Sequence, residues 1–166
     1  MSPQGRKRWV TFGCFGTLVD GCTSRGGTRL FDDVESMLAE LRGKGYRLGV
    51  LTNSGDRVFE ATHQVFRRPF DLFVTGERIL GSKPEPWHFR AFEQLARADR
   101  GQWVHVAASW YHDMAPALAF GVNRVWLDRR RTGHDPSVAT AHVYTAAAAV
   151  EAITALFEYA LLGPRG

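Results

Sequence analysis

Residues 10–20 read VTFGCFGTLVD, and an apolar strand runs into this string and ends within it. In an open parallel sheet, ligands bind beyond the carboxyl ends of the strands, so side chains at such an end are the first to inspect for chemistry. Gly13 stands at that end and has no side chain with which to attack a substrate.

Outward from this string, short apolar runs alternate with amphipathic stretches, the rhythm of repeated strand-helix units on a parallel sheet. Six strands are predicted, over Arg8–Phe15, Tyr46–Thr52, Asp71–Val74, Trp103–Ala108, Asn123–Leu127 and, at an edge, Ala141–Tyr144. Between them lies an amphipathic helix over Asp32–Gly43, with Val34, Met37, Leu38 and Leu41 on one face and Asp32 or Asp33 as its cap. Further helices are expected over Gly55–Phe66, Pro86–Ala98 and Met114–Phe120, the last terminated by Gly121. The Ala-rich stretch Thr145–Leu162 closes the chain as a long helix. No linker, repeat or low-complexity segment interrupts the pattern, so a single α/β domain over residues 1–166 is expected, with residues 20–30 as a short flap or loop.

The 166 residues are 45% hydrophobic, enough for one sizeable core. No run approaches the roughly 18 apolar residues that span a bilayer, and MSPQGRKRWV lacks the apolar stretch of a secretory signal. A soluble, cytoplasmic protein without a membrane partner is expected. Cys14 and Cys22 match no zinc or disulfide spacing and read as reduced thiols. The net charge of +4 raises the question of nucleic acid, but 18 of the 21 basic residues are Arg, and the runs at residues 6–8 and 129–131 have no interleaved aromatics to stack bases. They read as solvated charge blocks, and a nucleic-acid partner is not expected.

Four stretches within residues 8–131 resemble, in order and at strand ends, the four motifs of the haloacid dehalogenase superfamily. These are hydrolases in which a strand-end Asp attacks the substrate and water cleaves the resulting covalent intermediate. In the first, GCFGTLVD, Gly13 occupies the nucleophile position, Gly16 is the turn glycine and Thr17 is kept. Phe15 stands where phosphatases of the superfamily place a second Asp, so the resemblance is closest to the 2-haloacid dehalogenase branch. The second, LTNSGD at residues 51–56, offers Thr52, Asn53 and the N–H groups of the following helix as an anion corner. Capping by Asn53 or Ser54 would look identical in sequence. The third places Lys83 in GSKPEP, a compact cation suited to neutralising a carboxylate and an anionic substrate. The fourth, HVAASWYHDMAPA, matches Asp113 to the retained acid, while Ala108 stands where many phosphatases carry another Asp. His112 beside it is a further candidate.

The resemblance implies a three-layer Rossmann-like fold, a mainly parallel sheet with helices on both faces. It implies no cap domain, because residues 21–51 have room for one helix and a loop. A magnesium site of the superfamily type needs carboxylates that Gly13 and Ala108 remove, so no cofactor is expected, and weak magnesium at Asp113 at most. The expected partner is a small anion, phosphorylated or carboxylated, held by Phe15, Thr17, Thr52, Asn53 and Lys83, with a homodimer left open. Three readings follow. The chain is a binding module without ordinary phosphatase or dehalogenase activity, or an enzyme of altered chemistry through Lys83, His112, Asp113 or Cys14. In the third, it is an active hydrolase in which Gly13 replaces the natural Asp.

Overall fold

Strand β1 (Trp9–Phe12) serves two cores, because successive side chains of a strand point to opposite faces. Val10 and Phe12 enter one apolar cluster and Trp9 another. The computed structural model that establishes this describes residues 6–22 and 27–162. Around β1 lies a parallel six-stranded sheet in the order β5 (Leu72–Thr75), β4 (Arg47–Thr52), β1, β6 (Trp103–Ala107), β7 (Asn123–Leu127), β8 (Ala141–Val143).

Helices α1 (Val34–Gly43) and α6 (Ala146–Leu162) help bury the first face, where Leu48, Val50, Val104, Val106, Val125 and Leu127 meet Leu38 and Ile153. Helices α4 (Trp87–Ala96) and α5 (Ala115–Phe120) cover the second, where Phe89, Phe92 and Ala117 meet Trp9, Leu51 and Trp103. Burial on both faces is why these strands read as near-continuous apolar runs. Each fully buried Leu or Phe contributes roughly 1.5–3 kcal/mol. Trp103 and Trp126 are wholly buried and Trp87 is exposed.

From β1 the chain first builds toward β4 and β5, then crosses back to build β6, β7 and β8 on the other side. The strand order therefore reverses beside β1, and the loops after β1, β4 and β6 border one crevice. The mainly parallel sheet with helices on both faces matches the expected architecture, and no cap domain lies among the described residues.

Several local expectations are corrected. β1 ends at Phe12 rather than Phe15, and the Cys14 carbonyl accepts from the amides of Thr17, Leu18 and Val19, closing a tight turn. Gly16 in that turn has φ +81, a conformation that favours glycine. The segment expected as a short flap or loop carries an antiparallel pair, β2 (Val19–Cys22) with β3 (Thr28–Leu30), and its residues 23–26 lie outside the described ones.

Helix α1 begins at Val34, and Asp33 does not cap it through its side chain. That carboxylate is bonded instead by Arg129, at 2.8 and 3.0 Å, and by the amide of Ala146. The helix predicted from Gly55 is the shorter α2 (Asp56–His63), and a one-turn α3 (Gly76–Ile79) was not foreseen. Helix α5 begins at Ala115, after a π-helical turn over Trp110–Met114. The other ends shift by one or two residues. No helix among the described residues is long and apolar enough to cross a membrane.

Gly49 on β4 is where the second core tolerates least. A Cβ there would lie 2.9 Å from the Phe92 ring, 3.1 Å from the Leu72 carbonyl and 3.2 Å from the Thr11 methyl. Gly49→Ala is expected to lower unfolding stability by about 1–3 kcal/mol, read from urea midpoints; an unchanged midpoint would mean that this face is loosely packed.

Candidate functional site

Lys83 follows α3, and its side chain runs inward with only 5% of its surface exposed. Its ammonium donates to Asp113 Oδ1 at 2.6 Å and to the Leu51 carbonyl at 2.9 Å. Asn53 holds the lysine's main chain from the end of β4: its Oδ1 accepts from Lys83 N at 2.7 Å and its Nδ2 donates to Lys83 O at 3.1 Å. The amide expected to bind an anion thus has both ends committed to bracing Lys83.

Asp113 reaches the cluster from the π-helical turn after β6. A π turn places one extra residue per turn and commonly marks functional positions. Asp113 Oδ1 also receives His105 Nε2 at 2.8 Å, while His105 Nδ1 lies 2.8 Å from Thr11 Oγ1. Trp103 Nε1 donates to that same Thr11 oxygen at 2.8 Å. An indole nitrogen can only donate, so the Thr11 hydroxyl hydrogen is free for His105 Nδ1, and the His105 proton sits on Nε2, facing Asp113. A buried chain of hydrogen bonds, Trp103 to Thr11 to His105 to Asp113, therefore points toward the carboxylate.

Burial alone would raise the Asp113 pKa, but the charge of Lys83 and the hydrogen bond from His105 outweigh it and hold the carboxyl at about 2. Burial pushes His105 below its ordinary value despite Asp113, so the imidazole is neutral at pH 7. The cluster carries one ammonium against one carboxylate. Asp113 Oδ2 accepts no hydrogen bond among the described residues and faces Gly13. A Cβ on Gly13 would lie 3.3 Å from that oxygen, 3.3 Å from Thr17 Oγ1 and 3.2 Å from Ala107 Cβ. Any side chain there requires these neighbours to give by a few tenths of an ångström.

The remaining candidates divide. Thr17 is buried, and its hydroxyl accepts from the Ala108 amide at 2.9 Å. Thr52 is buried at the end of β4, with its hydroxyl 3.0 Å from that of Ser54, and its carbonyl is 2.7 Å from His88 Nε2. Burial pushes His88 down to about 4, so it donates as a neutral ring. Phe15 is 41% exposed and lines a cavity of about 500 Å³ with Phe31, Trp110, Tyr111 and His112. His112 is exposed and lies 3.1 Å from Ser109 Oγ, apart from the buried cluster. Cys14 belongs to the core behind the sheet, where burial pushes its thiol up to about 12, against a smaller opposing influence of Lys83.

Sequence reasoning missed His105, Thr11, His88 and Ser54. Only the strand alternation of Thr11 and His105, opposite each other on β1 and β6, could have paired two of them. Magnesium does not fit this donor set. One carboxylate faces the gap, already paired with an ammonium, and among the described residues no three His, Cys, Asp or Glu side chains gather as metal ligands.

The sequence profile of haloacid dehalogenase-like hydrolases matches residues 21–127, a stretch that begins after Gly13, Phe15 and Thr17. The (S)-2-haloacid dehalogenase of Pseudomonas sp. (strain YL) is 27% identical over 101 residues, which are 60% of this chain and 43% of that protein. This chain thus spans less than half of that relative's length. Among solved structures, an L-2-haloacid dehalogenase superposes with a TM-score of 0.77 at 15% identity, covering 90% of this chain and 99% of the other. A haloacid dehalogenase-superfamily phosphatase from Thermococcus onnurineus gives 0.64 at 22% identity, covering 75% and 58%. At these identities the structural likeness concerns the fold.

Two predictions follow from the buried pair. Asp113→Asn leaves the Lys83 charge uncompensated and is expected to lower stability by about 3–5 kcal/mol, measured by urea unfolding; a loss under 1 kcal/mol would mean that water reaches the ammonium. Because the folded carboxyl titrates below its unfolded value, its contribution to stability is complete above the ordinary carboxylate range and is lost as pH falls toward 2. Urea midpoints from pH 6 down to pH 2 should fall more steeply in the parent chain than in Asp113→Asn.

Proposed function

This chain belongs to the haloacid dehalogenase-like hydrolases, matching their profile over residues 21–127, and we propose that it binds a small carboxylate or phosphate anion without aspartyl-intermediate hydrolysis. The observation that carries this reading is Gly13, set in a closed turn against Asp113 and Thr17 with no attacking group in its place. Loss of a nucleophile typically removes several orders of magnitude of rate. A protonated, buried thiol makes Cys14 a poor substitute, and a carboxylate with a pKa of about 2 makes Asp113 a weak base.

Anion binding is supported by what surrounds the gap. An ammonium has three donors, and two of Lys83's are used, on Asp113 and Leu51. The third, with the one hydroxyl hydrogen that the Thr52–Ser54 hydrogen bond leaves free, provides donors at the end of β4. Asp113 opposes a second negative charge, so the affinity is modest and Lys83 decides it. The cavity beside Phe15, lined by Phe31, Trp110 and Tyr111 and also by Asp20, Asp128 and Arg130, offers room for the remainder of the same ligand.

The test pairs binding with turnover. The parent chain should bind chloroacetate or orthophosphate by calorimetry while hydrolysing neither 2-chloropropionate nor p-nitrophenyl phosphate above the uncatalysed rate. Any turnover should appear only in Gly13→Asp. Equal turnover in both proteins would sink the claim that the missing carboxylate matters, and absence of anion binding in the parent chain would sink the claim of a binding site.

A further inference from the structure

The basic run at residues 6–8 has no part in the site above, and the fold gives it company. β1 and β4 pair in parallel with Trp9 opposite Arg47, and the Arg47 amide donates to the Arg8 carbonyl at 2.9 Å. The residues just before β1 therefore meet the turn between α1 and β4. Arg6, Lys7, Arg8, Lys44 and Arg47 line one cavity of about 490 Å³ with Gly45, Tyr46 and Gln102. It lies at the amino end of the sheet, and from Arg8 to Gly13 the strand runs about 16 Å, so the cavity is separate from the crevice around Gly13.

We propose that this cavity is a second anion site, built for a ligand carrying linked phosphate groups. The argument rests on uncompensated charge. No Asp or Glu lines the cavity. Arg6 pairs with Asp99 at 3.0 Å, and Arg8 donates to the neutral Gln102 at 3.3 Å while lying over the Phe157 ring. Lys7, Lys44 and Arg47 form no ion pair and no side-chain hydrogen bond among the described residues. The chain has three lysines, and two of them, Lys7 and Lys44, converge here.

Four cations without an acidic partner, drawn from two separate segments, exceed what one phosphate dianion engages and match a row of several phosphates. The cavity volume falls in the range of small-ligand sites. Tyr46 is buried and packs against Phe157 with ring centroids 4.7 Å apart, so no aromatic face is free to stack a base. Affinity would thus come from the phosphate chain, and the same chemistry is offered by a free polyphosphate and by a nucleic-acid backbone.

The experiment is calorimetric titration of the full chain with sodium tripolyphosphate, orthophosphate and chloroacetate, repeated with Lys44→Glu/Arg47→Glu and with Lys7→Ala/Lys44→Ala. Tripolyphosphate should bind at least roughly tenfold more tightly than orthophosphate, and weaken steeply with salt. Both double variants should lose roughly tenfold or more of that affinity, while the melting temperature and the chloroacetate response stay as in the parent. Tripolyphosphate no tighter than orthophosphate, or affinity untouched by both double variants, overturns the proposal. Displacement by a short oligothymidylate at matched phosphate concentration supports the site with a nucleic-acid backbone as source; failure to displace supports it with a free polyphosphate. Because chloroacetate probes the other end of the sheet, failure here is distinguishable from failure at the Gly13 crevice.

Discussion

The buried contact between Lys83 and Asp113, 2.6 Å long, is the constraint on which the carboxyl end of the sheet depends. Neither charge tolerates isolation in so dry a place, so each must be delivered to the other by its own segment. Asn53 fixes the Lys83 main chain, the Leu51 carbonyl takes a second ammonium hydrogen, and a π-helical turn carries Asp113 in from beyond β6. β4, β6 and the loop after α3 are thereby tied together at the point where the strand order reverses.

Behind the pair, Trp103, Thr11 and His105 form a polar chain inside an otherwise apolar face. Its members alternate correctly along β1 and β6 to face α4, where Phe89 packs edge-on against His105 with ring centroids 5.0 Å apart. Each polar atom of the chain finds a partner, which is the condition for burying such groups without a large penalty. The direction of donation, from indole to hydroxyl to imidazole to carboxylate, adds to the Lys83 charge in keeping Asp113 ionised, while burial leaves His105 neutral.

The architecture was legible because buried parallel strands advertise themselves as apolar runs, and each of the six appeared within a few residues of its place. The motif order also singled out Lys83 and Asp113 as candidates, and the fold brings the two into contact across thirty positions of sequence. Less visible was whatever depended on long-range polar pairing. Asp33 looked like a cap until Arg129, distant in sequence, claimed its carboxylate. Asn53 looked like an anion ligand, and its amide turned to the Lys83 backbone. The β2-β3 pair was missed because VDGC and TRL are too short and irregular to show an alternation.

The charge count explains how such a site persists around a glycine. With an aspartate at position 13, two carboxylates would share one ammonium, and a further cation or a proton would be needed to balance them. With Gly13, Lys83 and Asp113 balance one to one, and Ala107, Asp113 and Thr17 lie within 3.2 to 3.3 Å of where a Cβ would stand. An aspartate at position 13 would thus add a like-charge contact, whereas removing either member of the pair strands a buried charge. Lys83 and Asp113 accordingly hold each other in place with no side chain at position 13. Their presence reports the stability of this corner of the fold, and the function has to be argued from the donors that remain free around them.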